Sequence, residues 1–178
     1  MAKSLIDDDL NRRIIACLQA EGRISHAELA ERLKVSRPTV IDRIRRLEGE
    51  GIIRGYFAAV SPGSVNKASV AYVSVKYRLD SDQHEKRFIE AMEKDPDILE
   101  AYTIAGEDSF LLKIVADTPA NLNMLLRKIR SLGAQASTRT TVVLETHFVK
   151  SGPSPLSSND LNSTNAKPAP KKDVRSRK

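Results

Sequence analysis

Along residues 7–56 the apolar positions recur three and four apart, the spacing of helices that each bury one face. Leu10, Ile14, Cys17 and Leu18 mark such a face in a helix predicted over 7–20 and capped by Asp7, with aspartates 7–9 complementing the positive end of its dipole. Gly22-Arg23-Ile24 leads to a shorter helix over 25–33 (SHAELAERL). Its S-x-x-E start is a capping box between Ser25 and Glu28, and Ala27, Ala30 and Leu33 supply its apolar stripe. Only Lys34 and Val35 separate it from a third helix over 36–47 (SRPTVIDRIRRL). Ser36 caps this helix, and Pro38 occupies the first turn, where its missing N–H costs nothing. Val40, Ile44 and Leu47 recur at i, i+4 and i+7, and Ile41 widens their face. Gly49 and Gly51 end the helix, and Ile52-Ile53 is expected to begin an extended segment, so that three helices and a short strand make a winged helix-turn-helix.

After a turn signal at Ser61-Pro62-Gly63-Ser64 the period changes. Residues 68–79 alternate, with Val73, Val75, Tyr77 and Leu79 on one face and Ser74, Lys76 and Arg78 on the other. A helix over 82–94 buries Phe88, Ile89 and Met92; Asp95-Pro96-Asp97 turns the chain into a strand over 98–105. Gly106-Glu107-Asp108 is a tight turn into a strand over 109–116. Thr118-Pro119 opens a helix burying Leu122, Leu125, Leu126, Ile129 and Leu132 and stopped by Gly133; a last strand covers 137–149. The order β-α-β-β-α-β predicts a ferredoxin-like antiparallel sheet with two helices on one face. Tyr72, Tyr102 and Val143 cannot all point at those helices, so the open face or a sheet edge is expected to pair with a second subunit. The fold class is therefore α+β: a winged helix-turn-helix domain over 1–54, a linker over 55–67, a ferredoxin-like βαββαβ domain over 68–150 and a tail over 151–178. The tail is rich in Ser, Pro, Asn and Lys and is expected to be disordered.

Charge narrows the partner. The net +6 divides into +2 over residues 1–54 (11 Lys/Arg against 9 Asp/Glu), zero over 55–150 (12 against 12) and +4 over 151–178 (6 against 2). A basic head, a neutral body and a basic tail suit a polyanion. Lys167, Lys171, Lys172, Arg175, Arg177 and Lys178 either solvate the tail or add sequence-independent DNA affinity. In the third helix, Arg37, Arg43, Arg45 and Arg46 against Asp42 give +3. A basic amphipathic helix alone reads as a solvated face. Preceded by a capped helix and a two-residue joint it is a helix-turn-helix, although the joint lacks the Gly often found there. The partner is then double-stranded DNA, with Pro38, Thr39, Asp42, Arg45 and Arg46 nearest the bases, Arg37 at the edge, and Ser36 with its following amides suited to phosphate. Arg43 lies toward the packed edge and either orients the helix or holds phosphate. Arg54 is a phosphate candidate whose plainer reading is a surface arginine.

Cys17 is the single cysteine and reads as packing in a reducing compartment. The acidic opening does not resemble a signal peptide, and no apolar run reaches the ~18 residues of a membrane span. The reading is a soluble cytoplasmic protein. His26, His84 and His147 are scattered among different elements without metal or nucleophile spacing, so no metal, cofactor or catalytic residue is assigned and an enzyme is not expected.

Over roughly residues 5–149 the chain resembles the Lrp/AsnC family of transcription regulators, the feast/famine regulators. The resemblance is carried by Leu5, Asp9, Ile14-Ile15, Leu18 and Gly22-Arg23-Ile24-Ser25. It continues in Glu28-Leu29-Ala30, Ser36, Val40, Arg43-Ile44, Leu47-Glu48 and Gly51-Ile52-Ile53-Arg54-Gly55-Tyr56. It implies a sequence-specific regulator that bends or wraps DNA, a homodimer that often assembles to an octamer, and a small amino-acid effector at subunit contacts in the second domain. The implied effector region is Gly106, Glu107, Asp108 and Ser109, with Tyr102, Thr138 and Thr140. Ser109 fills the slot where many members carry an acid, and Asp108 stands one place earlier. For Thr138 and Thr140 ordinary β-propensity is an equal reading. The alternative function is a ligand-independent architectural protein that coats DNA.

Overall fold

A computed structural model of the protein describes residues 5–76, 82–132, 137–150 and 152–156, and these fall into two compact units. One holds the chain up to Ala58 together with the residues from Val149; the other is Ala59–Phe148. The division lies between Ala58 and Ala59. Expectations for Tyr77, Arg78, Leu79 and Gly133, and for all six basic residues of the tail, lie outside the described residues.

The first unit contains α1 (Asp9–Ala20), α2 (His26–Leu33) and α3 (Arg37–Gly49), preceded by a 3-10 turn, Leu5–Asp7. The cap of α1 is Asp8, not Asp7: its carboxylate accepts from the N–H groups of Leu10 and Asn11, and residues 5–7 form their own turn. Ile14, Ile24, Leu29, Ala30, Leu33, Val40, Ile44 and Leu47 form one core, with Leu10, Cys17, Leu18, Val35 and Ile53 packed against it. On α2 the stripe is Leu29, Ala30 and Leu33, because Ala27 faces out.

α2 and α3 end in the same way. Lys34, at φ 56 and ψ 44, takes the left-handed position after α2; its N–H donates to Glu31 and that of Val35 to Ala30. Gly51, at φ 67, does the same after α3, where its N–H donates to Glu48 and that of Ile52 to Leu47. The N–H of Ile53 also reaches the Leu47 carbonyl, at 3.0 Å. Ile52-Ile53 therefore completes a helix-ending turn rather than beginning a strand. No strand forms there among the described residues, and only the bend that ends α3 marks the expected wing.

The second unit contains β1 (Ser69–Lys76), α4 (Asp82–Glu93), β2 (Ile98–Thr103), β3 (Phe110–Ala116), α5 (Pro119–Leu132) and β4 (Ser137–Val142). The four strands form an antiparallel sheet in the order β2-β3-β1-β4, which with two helices on one face is the ferredoxin-like arrangement. Register sets the faces. Val73 pairs with Leu112 and Thr140, and Val75 with Phe110 and Thr138. That face meets Phe88 and Met92 of α4 and Leu125 and Ile129 of α5, with the Phe88 and Phe110 rings 5.0 Å apart. Ile89, expected inside, is 40% exposed: it follows Phe88 by one residue and so turns off the buried stripe. Leu132 is likewise exposed, at 37%, in the last turn of α5. β4 is also shorter than expected, ending at Val142; one further bond joins the Val143 N–H to Val70 before the chain leaves the sheet.

The opposite sheet face carries Tyr72, Leu111, Lys113, Glu100, Tyr102, Arg139 and Thr141. Glu100 accepts from Lys113 and from the Tyr102 hydroxyl, both at 2.8 Å. Burial pushes the Glu100 carboxyl up, but these two donors outweigh it and hold the group below its ordinary value.

Candidate DNA-binding face and effector turn

α3 is fixed from below by Val40 and Leu47, both fully buried, with Ile44 between them. Its start is fixed by Ser36, whose Oγ accepts from the Thr39 N–H at 3.2 Å and shares a 2.7 Å bond with the Thr39 hydroxyl. With about 3.6 residues per turn, those buried positions turn Asp42 nearly straight outward, flanked by Arg45 and Arg46. Arg37, Pro38, Asp42, Arg45 and Arg46 are all exposed, and Thr39 is half-buried. The surface is thus basic, but not uniformly so. Arg46 Nε lies 3.2 Å from Asp42 Oδ2, one turn away on the same helix. Arg37 and Arg45 form no ion pair among the described residues.

Arg43 is directed elsewhere. Its Nη1 lies 2.6 Å from Asp8 Oδ2 and 3.4 Å from Asn11 Oδ1, so it points into the packed corner between α3 and the start of α1. Asn11 is 1% exposed, and its amide donates to the Leu5 carbonyl at 2.7 Å. The Arg43 guanidinium, helped by the backbone donors of Asn11 and Leu10, holds the Asp8 carboxyl below the usual aspartate range against partial burial. Asn11 went unnoticed in the sequence, and Asp8 was read only as one of three aspartates at the positive end of the helix dipole, although a polar residue three places before the fully buried Ile14 was a usable signal. Arg54 is exposed beyond α3. The segment after it is tied back to α3 by the Tyr56 hydroxyl, which donates to Glu48 at 3.0 Å. Burial and that carboxylate push the Tyr56 phenol up to about 12.

In the second unit the turn between β2 and β3 is closed by the Ile104 N–H on Ser109 at 3.0 Å and pinned to β1 by the Ser109 N–H on Val75 at 2.8 Å. Gly106 has φ 151, a backbone region that side chains rarely adopt. Because Thr138 pairs with Val75, the turn and the start of β4 share one end of the sheet. Arg139 of β4 reaches toward Glu107 and Asp108 at 4.0 and 3.9 Å, while Arg130 of α5 donates to the Thr138 hydroxyl at 3.1 Å. Neither arginine stood out in the sequence. The seven effector candidates do not converge within one chain. Thr138 and Thr140 lie on the helix-covered face at the β4 edge; Tyr102 lies on the open face at the β2 edge, three strand spacings or about 14 Å away. Among the described residues, no group of three or more His, Cys, Asp or Glu side chains is gathered as a metal requires, and no helix is long and apolar enough to cross a membrane.

A three-helix unit with an exposed, capped, arginine-bearing third helix, joined to a βαββαβ unit, defines a DNA-binding regulator with a separate sensing domain. The comparisons with known proteins agree. Residues 7–54 match the family model of winged helix-turn-helix DNA-binding domains, and residues 70–153 that of the Lrp/AsnC ligand binding domain. The HTH-type transcriptional regulator LrpA of Mycobacterium tuberculosis is 33% identical over 141 residues, which is 79% of this chain and 92% of the relative. The leucine-responsive regulatory protein of Escherichia coli K12 is 32% identical over 139 residues, 78% of this chain and 85% of its own. A feast or famine regulatory protein from M. tuberculosis, solved in complex with L-methionine, superposes with a TM-score of 0.75 at 31% identity, covering 83% of this chain and 99% of its own. The chain belongs to the Lrp/AsnC family of transcription regulators, a family of DNA-binding and amino-acid-binding proteins rather than enzymes.

Proposed function

We propose that this protein is a cytoplasmic, sequence-specific regulator whose α3 enters the DNA major groove, and whose operator affinity is set by a small amino acid bound between subunits. The observation that carries the reading is the outward face of α3, where Arg45 and Arg46 flank Asp42 and Arg37 is exposed in the first turn, on a helix seated by its cap and core. Arginine suits guanine O6 and N7, and an aspartate suits the cytosine amino group. Ser36, Pro38 and Thr39 lie at the end of α3 that leads into the groove, and Arg54 is offered to the phosphates. A homodimer, assembling further to an octamer, would present two such helices to half-sites about one DNA turn, ~34–36 Å, apart.

The separation of Tyr102 from Thr138 and Thr140 supports an effector site completed by a second subunit. In it the turn residues Gly106, Glu107, Asp108 and Ser109 would meet the amino acid together with side chains of a neighbouring chain. Methionine, found in the M. tuberculosis relative, is the first amino acid to test. An effector shifts the assembly only as far as it binds one state more tightly than another. The test is selection of bound fragments from the source genome, with and without a pool of amino acids. Discrete enriched sites whose occupancy changes with the pool are expected; uniform coating of all fragments would replace a regulator by an architectural protein.

A further inference from the structure

We propose that Arg43 is a positioning residue of the DNA-binding face, which sets the pose of α3 through Asp8 and Asn11 and does not itself touch DNA; this rests on the reading of α3 as the groove-entering helix. Four groups from three segments meet at one corner. Asp8 caps α1 and takes the Arg43 guanidinium at 2.6 Å; Asn11, 1% exposed, accepts from the same nitrogen at 3.4 Å and donates to the Leu5 carbonyl at 2.7 Å. A buried polar side chain with its donor and its acceptor both engaged specifies one arrangement of the segments it joins. Here it joins the turn before α1, the first turn of α1 and the middle of α3. The apolar contacts beneath α3 resist separation of the helices but tolerate a small rotation or slide, because they are non-directional. The guanidinium contact is directional and supplies the constraint they lack. A rotation of α3 would carry Arg45 and Arg46 off their base edges while leaving their charge near the phosphates. The corner should therefore govern specific affinity more than non-specific affinity.

The sign of one substitution tests this. By charge alone, Asp8→Asn removes an acid from a DNA-binding domain and should tighten binding. If Asp8 acts through Arg43, the same change weakens it, even though Asn keeps the cap. Asp8→Asn, Arg43→Gln and the double variant are compared in the full chain, well below their melting temperatures, on a selected duplex and on a random one. Each single change is expected to lower affinity for the selected duplex about tenfold and for the random duplex much less. The double variant is expected to be no worse than either single, because coupled partners are not additive. The salt dependence of log K is expected to keep its slope. Tighter binding by Asp8→Asn, a double loss equal to the product of the singles, or a slope reduced by about 0.9 in Arg43→Gln, the mark of one lost phosphate contact, would each overturn the proposal. If Asp8→Asn loses its helical signal, the slope and the selected-to-random ratio of Arg43→Gln decide alone. Failure of the unsubstituted protein to bind any duplex would instead remove the DNA-reading role of α3.

Discussion

Lys34 occupies the left-handed region that glycine usually fills at a helix end, with φ 56 and ψ 44. That conformation costs a side-chain-bearing residue about 1–2 kcal/mol, and glycine's extra freedom in the unfolded chain returns about 0.5–1 of it. Lys34→Gly is therefore expected to stabilise the first unit by about 0.5–1 kcal/mol, read as a higher melting temperature; a lower one would mean that the lysine side chain makes a compensating contact. Asp8 supplies a pH dependence with a definite sign. Its carboxyl is held below the usual aspartate value, first by the Arg43 hydrogen bond, so between the folded and unfolded values the unfolded chain binds more protons. The stabilisation is complete above the ordinary aspartate range and is lost as pH falls through the depressed folded value. An acid titration of unfolding is expected to lose part of this slope below about pH 4 in Asp8→Asn. An unchanged slope would show that the pair does not couple protonation to folding.

As an element, α3 combines a rigid inner face with an outer face whose charge is partly neutralised within the helix. The Asp42–Arg46 pair is exposed, its side chains 60% and 62% accessible, so as an ion pair it contributes little to stability. Its weight falls on DNA binding. Asp42→Asn is expected to raise affinity for random duplex several-fold and steepen the salt slope by about one phosphate equivalent, because Arg46 is released and a repelled charge is removed. Arg45→Ala is expected to lower affinity for the selected site by about 1–3 kcal/mol while changing random-site affinity less. Equal losses on both duplexes would make Arg45 a phosphate contact only. In the sheet, β1 is central and gives both its edges to neighbours, whereas β2 and β4 each leave one edge unpaired among the described residues.

At the scale of the whole molecule, the open sheet face carries aromatic and aliphatic side chains around the Glu100–Lys113 pair, with Tyr72 37% and Tyr102 51% exposed. Beyond β4, Leu144 and Phe148 are 97% and 77% exposed. These exposed apolar side chains are the surface we propose for pairing with a second subunit. Sedimentation at micromolar concentration is expected to give a dimer or a multiple of dimers, with the distribution shifted by an amino-acid effector. A monomer would overturn both the assembly and an effector site built from two chains.

The amino-acid sequence by itself determined the three-helix and βαββαβ orders, the Ser25 and Ser36 caps, and the inner and outer faces of α3. Each of these rests on interactions within a few residues, so periodicity and caps display them. Tertiary structure alone decided that Arg43 turns away from the basic face, because its partners Asp8 and Asn11 stand 35 and 32 positions earlier. It also decided that Tyr102 and the two threonines lie on opposite faces of the sheet, whereas the fold-back of Ile52-Ile53 and the left-handed Lys34 rest on bonds within six residues that the apolar pattern does not display. Register and helix docking are settled by contacts between distant segments, and no local pattern encodes which of two polar partners a side chain will meet.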